Sequence, residues 1–549
     1  MRRRAAIFFA AMVPVCAAQA APGGTLRLTA HAIGSTLDPH IAYLQLQLQV
    51  SATVYDGLMT YPKAAGPVTG GAIPDLADVR PVPQDGGLTY VFHLRDGVRF
   101  SNGKAVDVED VAASFRRMFK VHGPTAGSYF GVLVGADACL KDAEHCALAG
   151  GVVADPAQHT VTFHLTRPDP DFLNQLGFAQ AAIVPADTPA HDMGNEAPFG
   201  TGPYRYVRYS PNGGMTLERN PYFREWSHEA QPAAYPDRIE YRFGLDEEAE
   251  VSAVENGQYD WMGDGVPLDR LGEVGRRYTD RVTISDFPNI YYLALNVNEA
   301  PFNDVRVRQA LNYAVNRHAM VIHEGGEALA QPACQMLPIG LAGFEPSCAY
   351  TVGAAPDHPA HAWKAPDLDR ARALVRASGT AGQTVVIVAP AGATYLAIAT
   401  ELRSTLESLG YVASVRGINQ AVQFTYIQNS ANHVQAGLTG WIADYPAPAA
   451  FVQTLFSCAS FHPRSDNSIN MSGFCDPAID ALMDRAGTVS MTDMPAGLAL
   501  WAQADRAIME KAPAVPLTQI RRIDFVGPRV HNVVVSPVYQ LLLSQLQVR

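Results

Sequence analysis

Residues 385–416 read VVIVAPAGATYLAIATELRSTLESLGYVASVR. Val385 to Ala389 is an unbroken apolar run of strand length, Tyr395 to Leu409 reads as a helix stopped at Gly410, and Val412 to Arg416 returns to strand. The alternation spreads both ways. Upstream, Tyr291 to Asn296 reads as a strand, Asn303 caps a helix from Asp304 to His323, and Asp367 opens another that stops at Gly379. Downstream, an apolar strand near Ala436 to Thr439 feeds Gly440-Trp441-Ile442-Ala443-Asp444-Tyr445-Pro446. Asp476-Pro477 then starts a helix that turns Ile479, Leu482 and Met483 inward and stops at Gly487. Such alternation predicts an α/β architecture, with a mostly parallel sheet under covering helices and ligands beyond the C-terminal strand ends.

The first half reads differently. Gly24 to Ala30 alternates like a strand and runs into a turn-rich loop, and Leu88 to Leu94 and Thr160 to Leu165 alternate as well; antiparallel pairing is expected here. Asp107 caps a helix whose Val108, Val111, Ala112, Phe115, Met118 and Phe119 make one buried stripe, a structural role.

The chain has 549 residues, 48% hydrophobic and 17% charged, enough to bury a large core. At ~150 residues per domain, that length suggests roughly three to four domains. A net charge of −12, with no basic run beyond the extreme N-terminus, argues against a nucleic-acid partner. Arg2 to Arg4, the apolar stretch Ala5 to Val15 and Ala18-Gln19-Ala20 compose a secretory signal peptide. Cleavage after Ala20 removes three arginines and takes the charge from −12 to −15. Cys16 invites a lipid anchor, but Val15 stands where a small residue is preferred, so ordinary cleavage is the favoured reading. No later segment supplies the ~20 apolar residues of a membrane span. Six cysteines remain as three sequence-local couples, Cys139 with Cys146, Cys334 with Cys348 and Cys458 with Cys475, and in an exported chain these read as disulfides rather than as a zinc site.

Enzyme signatures are lacking: no G-x-S-x-G, no Walker lysine loop, no G-x-G-x-x-G and no H-E-x-x-H. Ser101-Asn102-Gly103-Lys104 and Ser465-Asp466-Asn467 imitate a penicillin-recognising serine enzyme. No K-T-G follows, and Asn102-Gly103 is a turn where that chemistry needs a helix. His358 and His361 lie in a Pro-rich stretch and read as solvated loop histidines. Neither a metal nor a cofactor is expected.

Several segments, in this order, carry a resemblance: Leu37-Asp38-Pro39, Val54-Tyr55-Asp56-Gly57-Leu58, Phe92-His93-Leu94-Arg95-Asp96-Gly97-Val98, Gly200-Thr201-Gly202-Pro203-Tyr204, Asn220-Pro221-Tyr222, residues 302–311 and residues 440–445 with the stretch to Cys475. From about Gly24 to about Pro516 the chain resembles the peptide/nickel class, family 5, of extracellular solute-binding proteins that serve ABC importers, especially dipeptide- and oligopeptide-binding proteins. The resemblance implies a two-lobed periplasmic-binding-protein type II fold (cluster C) with an extra inserted domain and a ligand cleft between the lobes. The expected division is a signal peptide at 1–20, a first lobe from 21–55, 198–285 and 517–549, an inserted domain at 56–197 and a second lobe at 286–516, with chain crossings near Ser285 to Pro288 and near Ala512 to Pro516.

On this resemblance Asp444 takes the position that receives a peptide's α-ammonium, Trp441 and Tyr445 could wall the ligand, and Tyr129 matches a segment of the inserted domain that reaches the cleft. From the residues alone, Asp444 also reads as a turn aspartate before Tyr445-Pro446, and the two aromatics as plain core. Dipeptide-binding relatives hold the peptide carboxylate with an arginine in the loop after the strand corresponding to Val385 to Ala389. Here that loop, Pro390 to Thr394, has no cation. Longer peptides, and non-peptide solutes such as sugars, opines or metal chelates, therefore stay open. The implied partners are a small-molecule or peptide ligand and a membrane permease; the expected state is a periplasmic monomer without enzymatic activity, an exported serine hydrolase being the remote alternative.

Overall fold

The computed structural model describes residues 23–549 except 35, 67–70, 443 and 466–467. The expected signal peptide 1–20 with Cys16, and Ala443, Asp466 and Asn467 of the motifs above, lie outside the described residues.

Thr25–Ala30 sits inside a five-stranded sheet, between Trp261–Met262 and Arg238–Phe243, with Gly214–Arg219 and Tyr204–Ser210 beyond. It pairs parallel with both neighbours, contrary to the antiparallel expectation. Its partners are distant in sequence, and so long a return permits either direction. Antiparallel pairing does hold for Thr89–His93 with Thr160–His164, which with Val152–Asp155 forms a separate three-stranded sheet. The helix Val108–Lys120 packs there, capped as expected by Asp107, whose carboxylate accepts the Glu109 N–H at 2.7 Å.

The third sheet runs Val282–Asp286, Ala514–Phe525, Asn289–Leu295, Ala436–Ile442, Thr384–Pro390, Val412–Ile418, with Ala330–Pro332 added on Ala514–Phe525. It is not mostly parallel. Parallel ladders join Thr384–Pro390 to Val412–Ile418 across the helix Ala393–Ser408, and to Ala436–Ile442; the other four are antiparallel. A helical crossover enforces parallel strands only where it occurs, and the remaining strands arrive from segments far away in the chain.

Two helix readings need correction. The stretch expected as one helix from Asp304 is two, Val305–Ala314 capped by Asp304 and Arg317–His323 capped by Asn316. The break lets Arg317 bury its guanidinium, which donates to the Ala333 and Pro516 carbonyls at 2.8 and 2.9 Å. Gly487 does not stop its helix, which runs Pro477–Ser490; a Cβ at Gly487 would stand 2.8 Å from the Pro170 ring, so glycine permits a close approach. All three sequence-local cysteine couples are disulfide-bonded.

Ala514–Phe525 continues unbroken across the expected 516/517 boundary. Residues Ala514 to Thr518 pair with Asn289–Leu295, and Arg521 to Phe525 pair with Val282–Asp286. At the junction Ala330–Pro332 pairs with Thr518 to Ile520 along one edge, and along the edge facing residues 282–295 buried Asn289 donates through Nδ2 to the Phe287 and Ile520 carbonyls, each at 2.8 Å, and accepts the Ile520 N–H at 3.0 Å. Val526 then bridges to Trp261, so this one strand reaches from the third sheet to the first.

Candidate functional site

Apolar Ala436, Gly437 and Leu438 bury the strand Ala436–Ile442 in the third sheet, and residues 444–447 follow its C-terminal end. That exit does not stay with its own sheet. Tyr445, Ala447 and Ala450 are buried in the core that surrounds the three-stranded sheet, with Phe163, Phe172 and Leu176. Asp444 is thereby carried into a cleft between the third sheet and the two earlier ones.

The Asp444 carboxylate accepts two hydroxyls from distant parts of the chain. Tyr43, from the loop before the helix Gln45–Val54, donates at 2.7 Å to both oxygens, and Tyr129 donates to Oδ2. Burial pushes the Asp444 carboxyl above its ordinary range, and the two phenolic donors pull it back. The same contact, added to burial, raises both tyrosines. Edge-to-face rings enclose the carboxylate: Tyr43 on Phe178 at 6.0 Å, Phe178 on Tyr129 at 5.9 Å, Tyr129 on Tyr445 at 5.7 Å.

Asp444 and Tyr445 line a cavity of about 170 Å³. Phe287 and Pro288 at the sheet junction, and Pro537 to Gln540 of the C-terminal hairpin, complete the wall. The structure thus brings Asp444, Tyr129 and Tyr445 together. Trp441 stands apart from the cavity: its Nε1 donates to the Ala450 carbonyl at 2.7 Å and its ring packs on the core of the third sheet. Tyr43, Phe178 and the hairpin residues escaped sequence reasoning, since none lies in a periodic or motif-like stretch.

The serine-enzyme imitation has a structural explanation. Lys104 Nζ lies 2.8 Å from Asp110 Oδ1, and the Ser101 N–H donates to the Gly200 carbonyl at 2.8 Å, which ties the turn to its surroundings.

Residues 71–462 match the family of bacterial extracellular solute-binding proteins, family 5 (Middle), and the chain belongs to it. The fold is the two-lobed type II periplasmic-binding-protein fold. Among curated relatives, the Di/tripeptide-binding protein 3 of Pseudomonas aeruginosa (strain UCBPP-PA14) is 26% identical over 492 residues, covering 85% of this chain and 84% of that protein. Among solved structures, Clavulanic acid biosynthesis oligopeptide binding protein 2 superposes with a TM-score of 0.85 at 27% identity, covering 96% of each chain. The periplasmic binding protein DppA from Helicobacter pylori, in complex with peptide STSA, shares the fold with a TM-score of 0.72 at 21% identity, over 96% of this chain and 98% of that one. Among the described residues no helix is long and apolar enough to cross a membrane.

Proposed function

We propose that this chain is an exported, periplasmic solute-binding protein that encloses a short peptide between its lobes, holds the peptide's ammonium at Asp444 and passes it unaltered to an ABC-importer permease. One observation carries the reading: a carboxylate at the end of a sheet strand, ringed by Tyr43, Phe178, Tyr129 and Tyr445, faces a cavity walled by five separate stretches of the chain. An ammonium leaving water needs an ionised, hydrogen-bonded partner, and charge-assisted bonds are about twice as strong as neutral ones. The closed form gains contacts to both lobes that an open form lacks, so the guest favours closure by that difference alone. On this reading the first lobe takes residues 21–55, 198–285 and 517–549, the inserted domain 56–197 and the second lobe 286–516. The protein acts as a monomer, after cleavage behind Ala20, and performs no chemistry on its guest.

Titration with a peptide library, followed by tryptophan fluorescence, is expected to saturate while chromatography shows the peptide intact. Asp444→Ala is expected to weaken binding by about 2–5 kcal/mol, the cost of leaving an enclosed charge unpaired. An unchanged affinity in that variant would remove Asp444 from the site, and release of a cleaved product would make the protein a hydrolase.

A further inference from the structure

The cavity has an uneven charge inventory. Its described lining holds one carboxylate, Asp444, and no lysine, arginine or histidine. The cations nearest its wall are already matched. Arg522 donates to the Gln540 amide oxygen, but its Nε lies 3.0 Å from both oxygens of Asp524, a carboxylate buried to 1% exposure. Lys63 stands behind the Tyr539 ring, 5.6 Å from its centroid, with Asp56 at 3.9 Å. Behind Tyr445 stands a carboxyl group rather than a cation, Asp171, whose Oδ2 accepts the Tyr445 hydroxyl at 3.3 Å. The two-residue connection between Thr384–Pro390 and Ala393–Ser408, Ala391-Gly392, brings no cation either.

The hydroxyls in the wall are also engaged. Tyr43 donates to Asp444, Tyr445 to Asp171, and the Tyr539 oxygen pairs with Thr60 Oγ1 at 2.7 Å. A guest carboxylate shut into this space would meet Asp444, aromatic rings and the neutral amides of Gln45 and Gln540, with no cation to balance it, and an enclosed anion without a countercharge is heavily disfavoured. A cation meets the opposite situation, with a carboxylate to pair with and ring faces whose quadrupoles attract positive charge.

Resting on the ammonium reading of Asp444, we propose that the enclosed guest is a monocation: a short amine-bearing peptide whose carboxyl end is masked as an amide, so that no free carboxylate enters the cavity. A panel of dipeptides tests this, each prepared as the free acid, the C-terminal amide and the N-acetylated amide, and titrated into the full exported chain at neutral pH by calorimetry. The amides are expected to bind at least tenfold more tightly than the free acids, and the acetylated amides to lose binding. Free acids that bind as tightly as their amides overturn the monocation inference and leave the ammonium reading standing. Acetylated amides that bind as tightly as the amides overturn the ammonium reading itself, and binding by no member of the panel overturns both.

Discussion

Two carboxylates divide the work around Tyr445. Asp444 faces the cavity, where two phenols favour its charged form, while Asp171 lies behind the ring with the Tyr445 hydroxyl at 3.3 Å. Burial, then the charge of Asp169, pushes the Asp171 carboxyl up from 3.8 to about 7. A carboxyl that holds its proton more firmly in the folded chain than in the unfolded one lowers stability as pH rises from roughly 4 to roughly 7, and the loss is complete above that window. Asp171→Asn keeps an acceptor for Tyr445 and removes the titration. Its melting temperature is therefore expected to exceed that of the parent by more at pH 8 than at pH 5, and an equal difference at both pH values would mean that Asp171 titrates as an ordinary carboxyl.

Among elements, the helix Pro477–Ser490 is fitted closely against the segment that carries Pro170. Gly487 gives way to the Pro170 ring, and a Cβ there would meet it at 2.8 Å, closer than a rigid ring tolerates. Glycine costs a helix interior about 1 kcal/mol relative to alanine, so its presence favours the contact over the helix. Gly487→Ala should then separate two quantities that usually move together. Thermal stability is expected to stay level or rise, while guest affinity falls by about 1–3 kcal/mol because overpacking holds the contact apart. Calorimetric titration beside a melting curve checks both, and a variant that binds as the parent does would show that this contact persists in the open form.

For the whole molecule, what could be read in advance followed chain locality. The helix capped by Asp107, the strands flanking Ala393–Ser408 and the three disulfides depend on near neighbours, and periodicity, caps and cysteine spacing record those. Strand direction did not follow, because Thr25–Ala30 finds its partners beyond residue 237 and nothing local encodes which way they run. In the cavity, Asp444, Tyr129 and Tyr445 came from a family resemblance, whereas Tyr43, Phe178 and Pro537 to Gln540 are brought in by tertiary folding alone. The strand Ala514–Phe525 itself changes ladder partner at Gln519-Ile520, a switch that no local pattern announces.

On the proposed division into lobes, that junction is where the molecule is expected to bend. It is held by the amide of Asn289 on one edge and by the short ladder of Ala330–Pro332 on the other, between the longer ladders on either side. Paired strands bend and twist readily but resist sliding, so one shared swivel axis is the expected outcome. Spin labels on opposite rims of the cleft are accordingly expected to give two discrete separations whose weights shift with guest, and a single broad spread would mean that the halves are loosely tethered.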